Sequence, residues 1–343
     1  MIAQAPVDER GASRLLSLDR ASGSVTDYHF RDLPDLLHAG DLLVLNDTRV
    51  FAARLLGKRL PGGGAAECLL VRRLQVPSGD PGEQGESWEA LVHPGQRLKE
   101  GSRLEFGQGP FAIHGEVLKR RFHGRRSIRL WTDGVSIDEA IDAIGHVPLP
   151  PYIKRPDTAA DRERYQTVYS RSRGSIAAPT AGLHFTHDIL DRLEARGIER
   201  TAITLHVGYG TFQPIRVDEI EEHTVEGEQY EVTPAAARAI GRALAERRRV
   251  IAVGTTTTRA LESLADDAAG SLKSGTGATN LFIFPGYQFK VVSGLVTNFH
   301  LPQSSLLLLV SAFAGRDRVL AAYRHAVRER YRFYSYGDAM LIT

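Results

Sequence analysis

The chain has 343 residues, 42% of them hydrophobic and 24% charged, which excludes a largely disordered polypeptide and favours two domains over a single core. Its 43 Lys and Arg nearly balance 41 Asp and Glu, so a uniformly basic nucleic-acid coat is excluded and any nucleic-acid site must be a local patch. The single cysteine, Cys68, excludes intrachain disulfides, Cys-rich zinc sites and Cys-ligated iron–sulfur clusters. Met1 to Arg10 reaches Asp8, Glu9 and Arg10 before any long apolar stretch, unlike a signal peptide. The longest apolar run, Leu306 to Gly315, is far short of the roughly 20 residues a bilayer requires. The expectation is a cytoplasmic protein with no membrane association.

In chain order, Asp32 to Leu45 reads as a short helix or turn followed by an apolar strand, Leu42-Leu43-Val44-Leu45. From Leu55 to Trp131 the texture is β. Short alternating segments (Glu67 to Val71, Trp88 to Val92, Phe111 to Phe122) are separated by Pro/Gly-rich turns, which points to a small barrel or sandwich. A brief helix near Ser136 to Ile144 and the extended Val147-Pro148-Leu149-Pro150-Pro151 close that section. Helices and strands then alternate. Helices are expected at His187 to Ala195, at Pro234 to Arg247 with Thr233 as N-cap, at Thr257 to Ala265, at Gln303 to Ala312 and at Asp317 to Tyr331. Strands are expected at Thr201 to Val207, Val250 to Val253, Leu281 to Phe284, Phe289 to Val292 and Leu295 to Thr297. The fold class read from this order is a main mixed α/β domain with an inserted small β-barrel domain. Its expected limits are residues 1–57 and 149–343 for the main domain and 58–148 for the insert.

Polar blocks stand at the ends of the apolar strands, where α/β proteins commonly bind ligands. Asn46-Asp47-Thr48-Arg49 follows the first. His206-Val207-Gly208-Tyr209-Gly210-Thr211 follows another, and its two glycines admit a ligand close to the backbone. Gly254-Thr255-Thr256-Thr257-Thr258-Arg259 opens a helix whose free N–H groups suit a carboxylate or phosphate. No Gly-Lys-Ser/Thr or dinucleotide fingerprint is present. Phe284-Pro285-Gly286-Tyr287 and Thr297-Asn298-Phe299-His300 combine aromatics with edge-reading side chains, and Arg332 to Asp338 forms a polar-aromatic terminus. Lys119 to Arg129 holds six cations in eleven residues without an acid. No His, Asp or Glu spacing suggests a metal.

Together these blocks resemble one family. Ser13-Arg14-Leu15-Leu16, Val44 to Arg49, Leu149-Pro150-Pro151-Tyr152-Ile153, Tyr165 to Thr186 with its core Ala177-Ala178-Pro179-Thr180-Ala181-Gly182-Leu183-His184-Phe185, the Gly-Tyr-Gly-Thr-Phe and Gly-Thr-Thr blocks, Thr297 to Pro302 and Tyr331 to Ile342 are similar to the S-adenosylmethionine:tRNA ribosyltransferase-isomerases of queuosine biosynthesis. The resemblance implies an α/β domain split by a β-barrel. It implies transfer of the ribosyl part of S-adenosylmethionine to the aminomethyl group of a 7-deazaguanine at the tRNA wobble position, with loss of adenine and methionine and formation of an epoxide. S-adenosylmethionine is then a consumed cosubstrate, with no permanently bound cofactor, no metal and no obligate protein partner. Two positions depart from the family pattern: Glu226 stands where a second His follows His223, and Asn280 where Asp is frequent.

Roles follow from the chemistry. The sulfonium acidifies the adjoining ribose methylene, and a positioned base removes the proton. His206 is the first choice, with Glu228 and His184 as alternatives. Gly208, Gly210 and Thr211 border the cosubstrate. Gly254, Thr255, Thr256 and Arg259 are expected to receive the methionine carboxylate. Phe284, Tyr287 and Phe299 are expected to stack on adenine or the deazaguanine, with Asn298 and His300 at its edge. Asn46, Asp47 and Arg49 are assigned to substrate. Arg120, Arg125 and Arg126 are assigned to tRNA phosphates, and the anticodon loop is the expected partner region. A monomer is expected, since no dimerisation element is evident.

Overall fold

The computed structural model describes residues 2–74, 85–121, 124–208, 210, 215, 217, 219–265 and 272–343. The chain begins with β1 (Arg14–Leu18), β2 (Val25–His29), α1 (Leu33–Leu36), β3 (Leu42–Asn46) and β4 (Thr48–Val50). It continues through β5 (Arg54–Leu60), β6 (Ala65–Arg73), β7 (Glu86–His93), β8 (Arg103–Phe106), β9 (Ile113–Arg120), β10 (Arg125–Trp131), α2 (Ile137–Ile144) and α3 (Asp161–Arg164). Next come β11 (Ser172–Ser175), α4 (His187–Ala195), β12 (Glu199–Leu205), β13 (Glu228–Val232), α5 (Pro234–Ala245) and β14 (Val250–Val253). It ends with α6 (Thr255–Ser263), β15 (Gly275–Thr279), β16 (Gly294–Asn298), α7 (Ser305–Ala314), α8 (Arg316–Arg328) and β17 (Ala339–Ile342). Two units emerge: 1–49 with 150–155 and 164–343, and 50–149 with 156–163.

The first unit is built on a nine-stranded sheet in the order β15-β13-β12-β3-β14-β16-β17-β1-β2. Strand β3 pairs in parallel with both β12 and β14, and β14 with β16. These strands read as continuous apolar runs because both of their faces are covered. Leu42 and Val44 face one core, with Ile240 of α5, Leu261 of α6, Val310 of α7 and Val319 of α8. Leu43 and Leu45 face the other, with Leu33 of α1 and Ile189, Leu190 and Leu193 of α4. The period-2 alternation of one strand therefore serves two helical layers.

The second unit contains a closed barrel in the order β10-β7-β6-β5-β8-β9, in keeping with the small barrel expected from the sequence. Cys68 is buried in it, and burial pushes its thiol well above the usual range, so it is not a thiolate nucleophile.

Two expected strands are absent. Residues 281–284 and 289–292 form no strand. The backbone N–H groups of Lys290, Val291 and Val292 donate to the buried carboxylate of Glu262 on α6 instead of to a ladder. A side chain from a distant helix has taken the partners a strand would need.

The expected phosphate contacts of Arg125 and Arg126 are corrected by the barrel. Both are buried, each about 8% exposed. The Arg126 guanidinium donates to the carbonyl oxygens of Gly95 (2.9 Å), Arg125 (3.0 Å) and Gly124 (3.2 Å). Arg125 lies 3.6 Å from the Glu89 carboxylate. Both guanidinium groups are covered by other segments of the barrel, Arg126 by the carbonyl of Gly95 and Arg125 by the Glu89 carboxylate. Lys119, Arg120 and Arg121 stay exposed.

Arg126→Ala should therefore destabilise the protein by about 1–3 kcal/mol, whereas Arg120→Ala should change stability by less than about 0.5 kcal/mol. Denaturant titration of both variants checks this; equal midpoints would contradict the structural role of Arg126.

Candidate active site

Parallel pairing puts the carboxyl ends of β3, β12, β14 and β16 at one edge of the sheet. The antiparallel partners bring in their amino ends. Asn298 pairs with Ala339 at the start of β17, and β13 begins at Glu228 beside the end of β12. Nearly every polar block read from the sequence thus converges on this edge.

Asn46 ends β3 and is fully buried. Its amide nitrogen donates to Leu205 O at 2.9 Å, and its oxygen accepts from Leu205 N at 2.9 Å and Thr48 N at 3.2 Å. Both heteroatoms of this buried amide are engaged by backbone, which corrects the expectation that Asn46 reads the substrate. It clamps the ends of β3 and β12 together.

That clamp positions His206. Thr48 Oγ1 lies 2.8 Å from His206 Nδ1 and 3.4 Å from Ser172 O. If the hydroxyl proton is given to the carbonyl, Thr48 accepts from Nδ1–H and Nε2 keeps its lone pair. Nε2 has no hydrogen-bond partner among the described residues. Burial lowers the His206 pKa, while the Asp47 and Glu231 carboxylates pull it upward. The net direction leaves a neutral ring at neutral pH. Asp47 accepts from Thr204 Oγ1 at 2.6 Å, and its carbonyl accepts from Arg171 N and Ser172 N. Gly174 lies against the imidazole: a Cβ there would sit 2.6 Å from His206 Cε1. Only glycine leaves room for this ring, and the segment Ser172-Arg173-Gly174-Ser175 carries no sequence signal of that role.

The other two proposed bases are placed differently. Glu228 forms a buried ion pair with Arg259 Nη2 and accepts from Gly208 N at 3.4 Å. Its carboxylate is occupied, which argues against general-base work. His184 is buried with both ring nitrogens engaged: Nδ1 with Ser13 Oγ at 2.7 Å and Nε2 with the Asn298 amide nitrogen at 3.1 Å. Burial lowers its pKa to about 3, and His300, bonded to Thr297 Oγ1 at 2.9 Å, is lowered to about 3 for the same reason. Neither ring is an imidazolium near neutrality, and each is a weak base.

A cleft, part of it open to solvent, lies at this edge. Gly254, Thr255 and Thr256 line it from the start of α6, Asn298 and His300 from the end of β16, and Val207 from the residue after His206. His206 itself is not a lining residue. Gly254 has φ of 94°, a turn conformation that favours glycine, and it tips the α6 amino terminus into the cleft. Tyr152, Thr180, Tyr334 and Ser335 also line it. Of these, Tyr334 and Ser335 belong to the polar-aromatic terminus noted in the sequence. Tyr152 and Thr180 had no assigned role, although they lie in blocks that carry the family resemblance.

Phe299 is corrected: it is wholly buried, with ring centroids of Phe333 at 5.0 Å and of Tyr323 and Tyr331 at 5.4 Å, so no base can stack on it. Phe284 is half-buried and packs on Phe282, which packs on His223. Tyr287 packs on Phe289 with its hydroxyl 3.4 Å from Glu262, and neither Phe284 nor Tyr287 lines the cleft. Arg259 is absent from the lining as well. Gly210 lies against Glu226, where an added Cβ would meet the Glu226 Cβ at 3.0 Å. Arg49 is exposed. Thr211 lies outside the described residues. Among the described residues, no group of three or more His, Cys, Asp or Glu could hold a metal ion. None of their helices is long and apolar enough to cross a membrane.

A family model described as queuosine biosynthesis protein matches residues 1–342. A protein of Heliobacterium modesticaldum named S-adenosylmethionine:tRNA ribosyltransferase-isomerase is 52% identical over 341 residues, spanning 99% of this chain and 96% of that one. A protein of the same name from Desulfitobacterium hafniense is 49% identical over 341 residues, with the same coverage. The crystal structure of S-adenosylmethionine tRNA ribosyltransferase from Thermotoga maritima is similar at 36% identity, with a TM-score of 0.53, over 100% of this chain and 96% of that one.

The buried histidines generate a pH prediction. His184 and His300 have folded pKa values lowered to about 3, below the unfolded 6.5. Their contribution to stability is complete above pH 6.5 and is lost as pH falls below it, by roughly 1.4 kcal/mol per pH unit for each ring. Denaturant titrations at pH 7.5 and 5.5 should show His300→Gln losing less stability on acidification than the parent chain. An identical loss would contradict the buried neutral imidazole.

Proposed function

The chain belongs to the queuosine biosynthesis protein family, and from that premise we propose that it is an S-adenosylmethionine:tRNA ribosyltransferase-isomerase. It transfers and isomerises the ribosyl moiety of S-adenosylmethionine onto the aminomethyl group of 7-aminomethyl-7-deazaguanine at the tRNA wobble position. Epoxyqueuosine-tRNA is formed, and adenine and methionine are released. The observation that carries this reading is the match of the family and of relatives near 50% identity across essentially the whole chain. S-adenosylmethionine is the consumed cosubstrate, and no metal takes part. The tRNA presents its anticodon loop.

The cleft at the strand ends supports an assignment of roles. The first N–H groups of α6 have no intrahelical partner and carry the positive end of the helix dipole, so they suit the methionine carboxylate. Thr255 and Thr256 line the cleft at that point. His206 acts as the base. Its neutral ring takes a proton from the methylene next to the sulfonium, through Nε2, while Thr48 and Asn46 hold it in place. The role of Arg259 is structural: it neutralises Glu228 at the start of β13. The exposed Lys119, Arg120 and Arg121 are the part of the basic run available to tRNA phosphates.

Incubating the protein with S-adenosylmethionine and tRNA carrying the aminomethyl-deazaguanine should release adenine and methionine and raise the nucleoside mass. S-adenosylhomocysteine in their place would mean methyl transfer and defeat the reading. His206→Ala should lower turnover by about 10²–10⁴-fold with tRNA binding retained. Near-parental turnover would move the base elsewhere.

Neutralising Lys119, Arg120 and Arg121 together should weaken tRNA binding and reduce the slope of log affinity against log salt by up to about 2–3. An unaltered slope would make this run a solvated surface.

A further inference from the structure

Asn298 ends β16, is 2% exposed, and lines the cleft. Its amide nitrogen lies 3.1 Å from Tyr334 O and 3.1 Å from His184 Nε2, with Asp338 O at 3.4 Å. A carbonyl can only accept, so the group facing Tyr334 O is the NH₂ and the amide cannot be reversed. His184 Nε2 must then accept as well, which puts the ring proton on Nδ1, donating to Ser13 Oγ at 2.7 Å. The His184 ring is further fixed by stacking on Phe30, with centroids 4.9 Å apart. The chain Ser13–His184–Asn298 therefore sets one orientation of the carboxamide. What remains is its oxygen, Oδ1, buried and without a hydrogen-bond partner among the described residues.

A buried acceptor with no donor is costly, and one at a cleft suggests a donor supplied by the ligand. The same cleft is lined by the amino terminus of α6, a cluster of donors suited to an anion. An anion site and a lone acceptor lining one cleft match an α-amino acid, whose carboxylate and ammonium lie on adjacent positions. We propose that the cleft holds the amino-acid end of S-adenosylmethionine, with Asn298 Oδ1 accepting from its α-ammonium group and His184 as the positioning residue that presents that oxygen. This rests on the reading of the cleft as the cosubstrate site and adds the subsite and the residue that recognises the charge.

The test compares three probes by calorimetric titration of the full chain. S-adenosylmethionine has both the carboxylate and the ammonium. Its decarboxylated form keeps the ammonium alone. The 5′-dimethylsulfonium of adenosine has neither. Asn298→Ala should weaken the first two by about 10–100-fold and leave the third unchanged, as expected for a lost hydrogen bond to a charged donor. Equal weakening of all three would place Asn298 against the adenosine and overturn the proposal, as would no weakening of any. If the parent chain binds none of the three, the cosubstrate reading of the cleft itself fails, a different result from a subsite error.

His184 is tested by rescue. Gln can accept from Asn298 through Oε1 and donate to Ser13, whereas Leu can do neither. His184→Leu should weaken the two ammonium-bearing probes and spare the third, and His184→Gln should restore most of that affinity. Thermal unfolding of both variants identifies any loss of fold, and the third probe reports whether the cleft survives. If His184→Gln binds the cosubstrate normally but loses turnover as fully as His206→Ala, His184 takes part in the chemistry and the positioning role is overturned.

Discussion

One buried carboxamide holds together the two strand ends on which the site is assembled. Asn46 stands where the β3–β12 ladder stops, its last paired position being Ile203 with Asn46. Beyond that point the backbone must leave the sheet, and its polar groups need partners without water. Asn46 supplies them by exchanging two hydrogen bonds with Leu205 and a third with Thr48 N. Leu205 precedes His206, and Thr48 bonds the His206 ring. The clamp thus fixes both the backbone that carries the imidazole and the hydroxyl that orients it. Asp47 and Thr204 add a second tie across the same strand ends.

Around that point the fold separates opposite chemical tasks. The amino terminus of α6 offers donors, and Asn298 offers an acceptor with no partner among the described residues. His206 keeps one ring nitrogen unengaged among the described residues. The other two candidate bases are spent on structure, Glu228 on Arg259 and His184 on Ser13 and Asn298. Burial keeps His184 and His300 neutral, so neither adds a positive charge beside a sulfonium substrate. A cationic ligand is thereby favoured by what the cleft omits as much as by what it presents.

The architecture was legible because two periods differ. Alternation with frequent Pro and Gly marked the barrel, and apolar runs alternating with helices marked the layered sheet. The strand ends were legible as polar blocks after apolar runs. What each polar side chain does there was not. Asn46 and Asn298 are both Asn at the end of a buried strand, yet one spends its amide on backbone and the other retains an orphan oxygen. That difference depends on which strand lies alongside. Phe299 was misread because its surroundings, Tyr323, Tyr331 and Phe333, come from α8 and the segment after it. The burial of both Arg125 and Arg126 depends on partners from other segments, Glu89 and the Gly95 carbonyl, that alternation cannot foresee. Gly174 carried no signal because its value lies in space left for a ring from another strand.

The most direct measurement is a crystal structure of this protein soaked with S-adenosylmethionine. The amino-acid end should lie between the α6 amino terminus and Asn298, with the ribose methylene beside the sulfonium directed toward His206 Nε2. Cosubstrate bound at the opposite edge of the sheet, or bound in the cleft with its adenine against Asn298, would contradict the account.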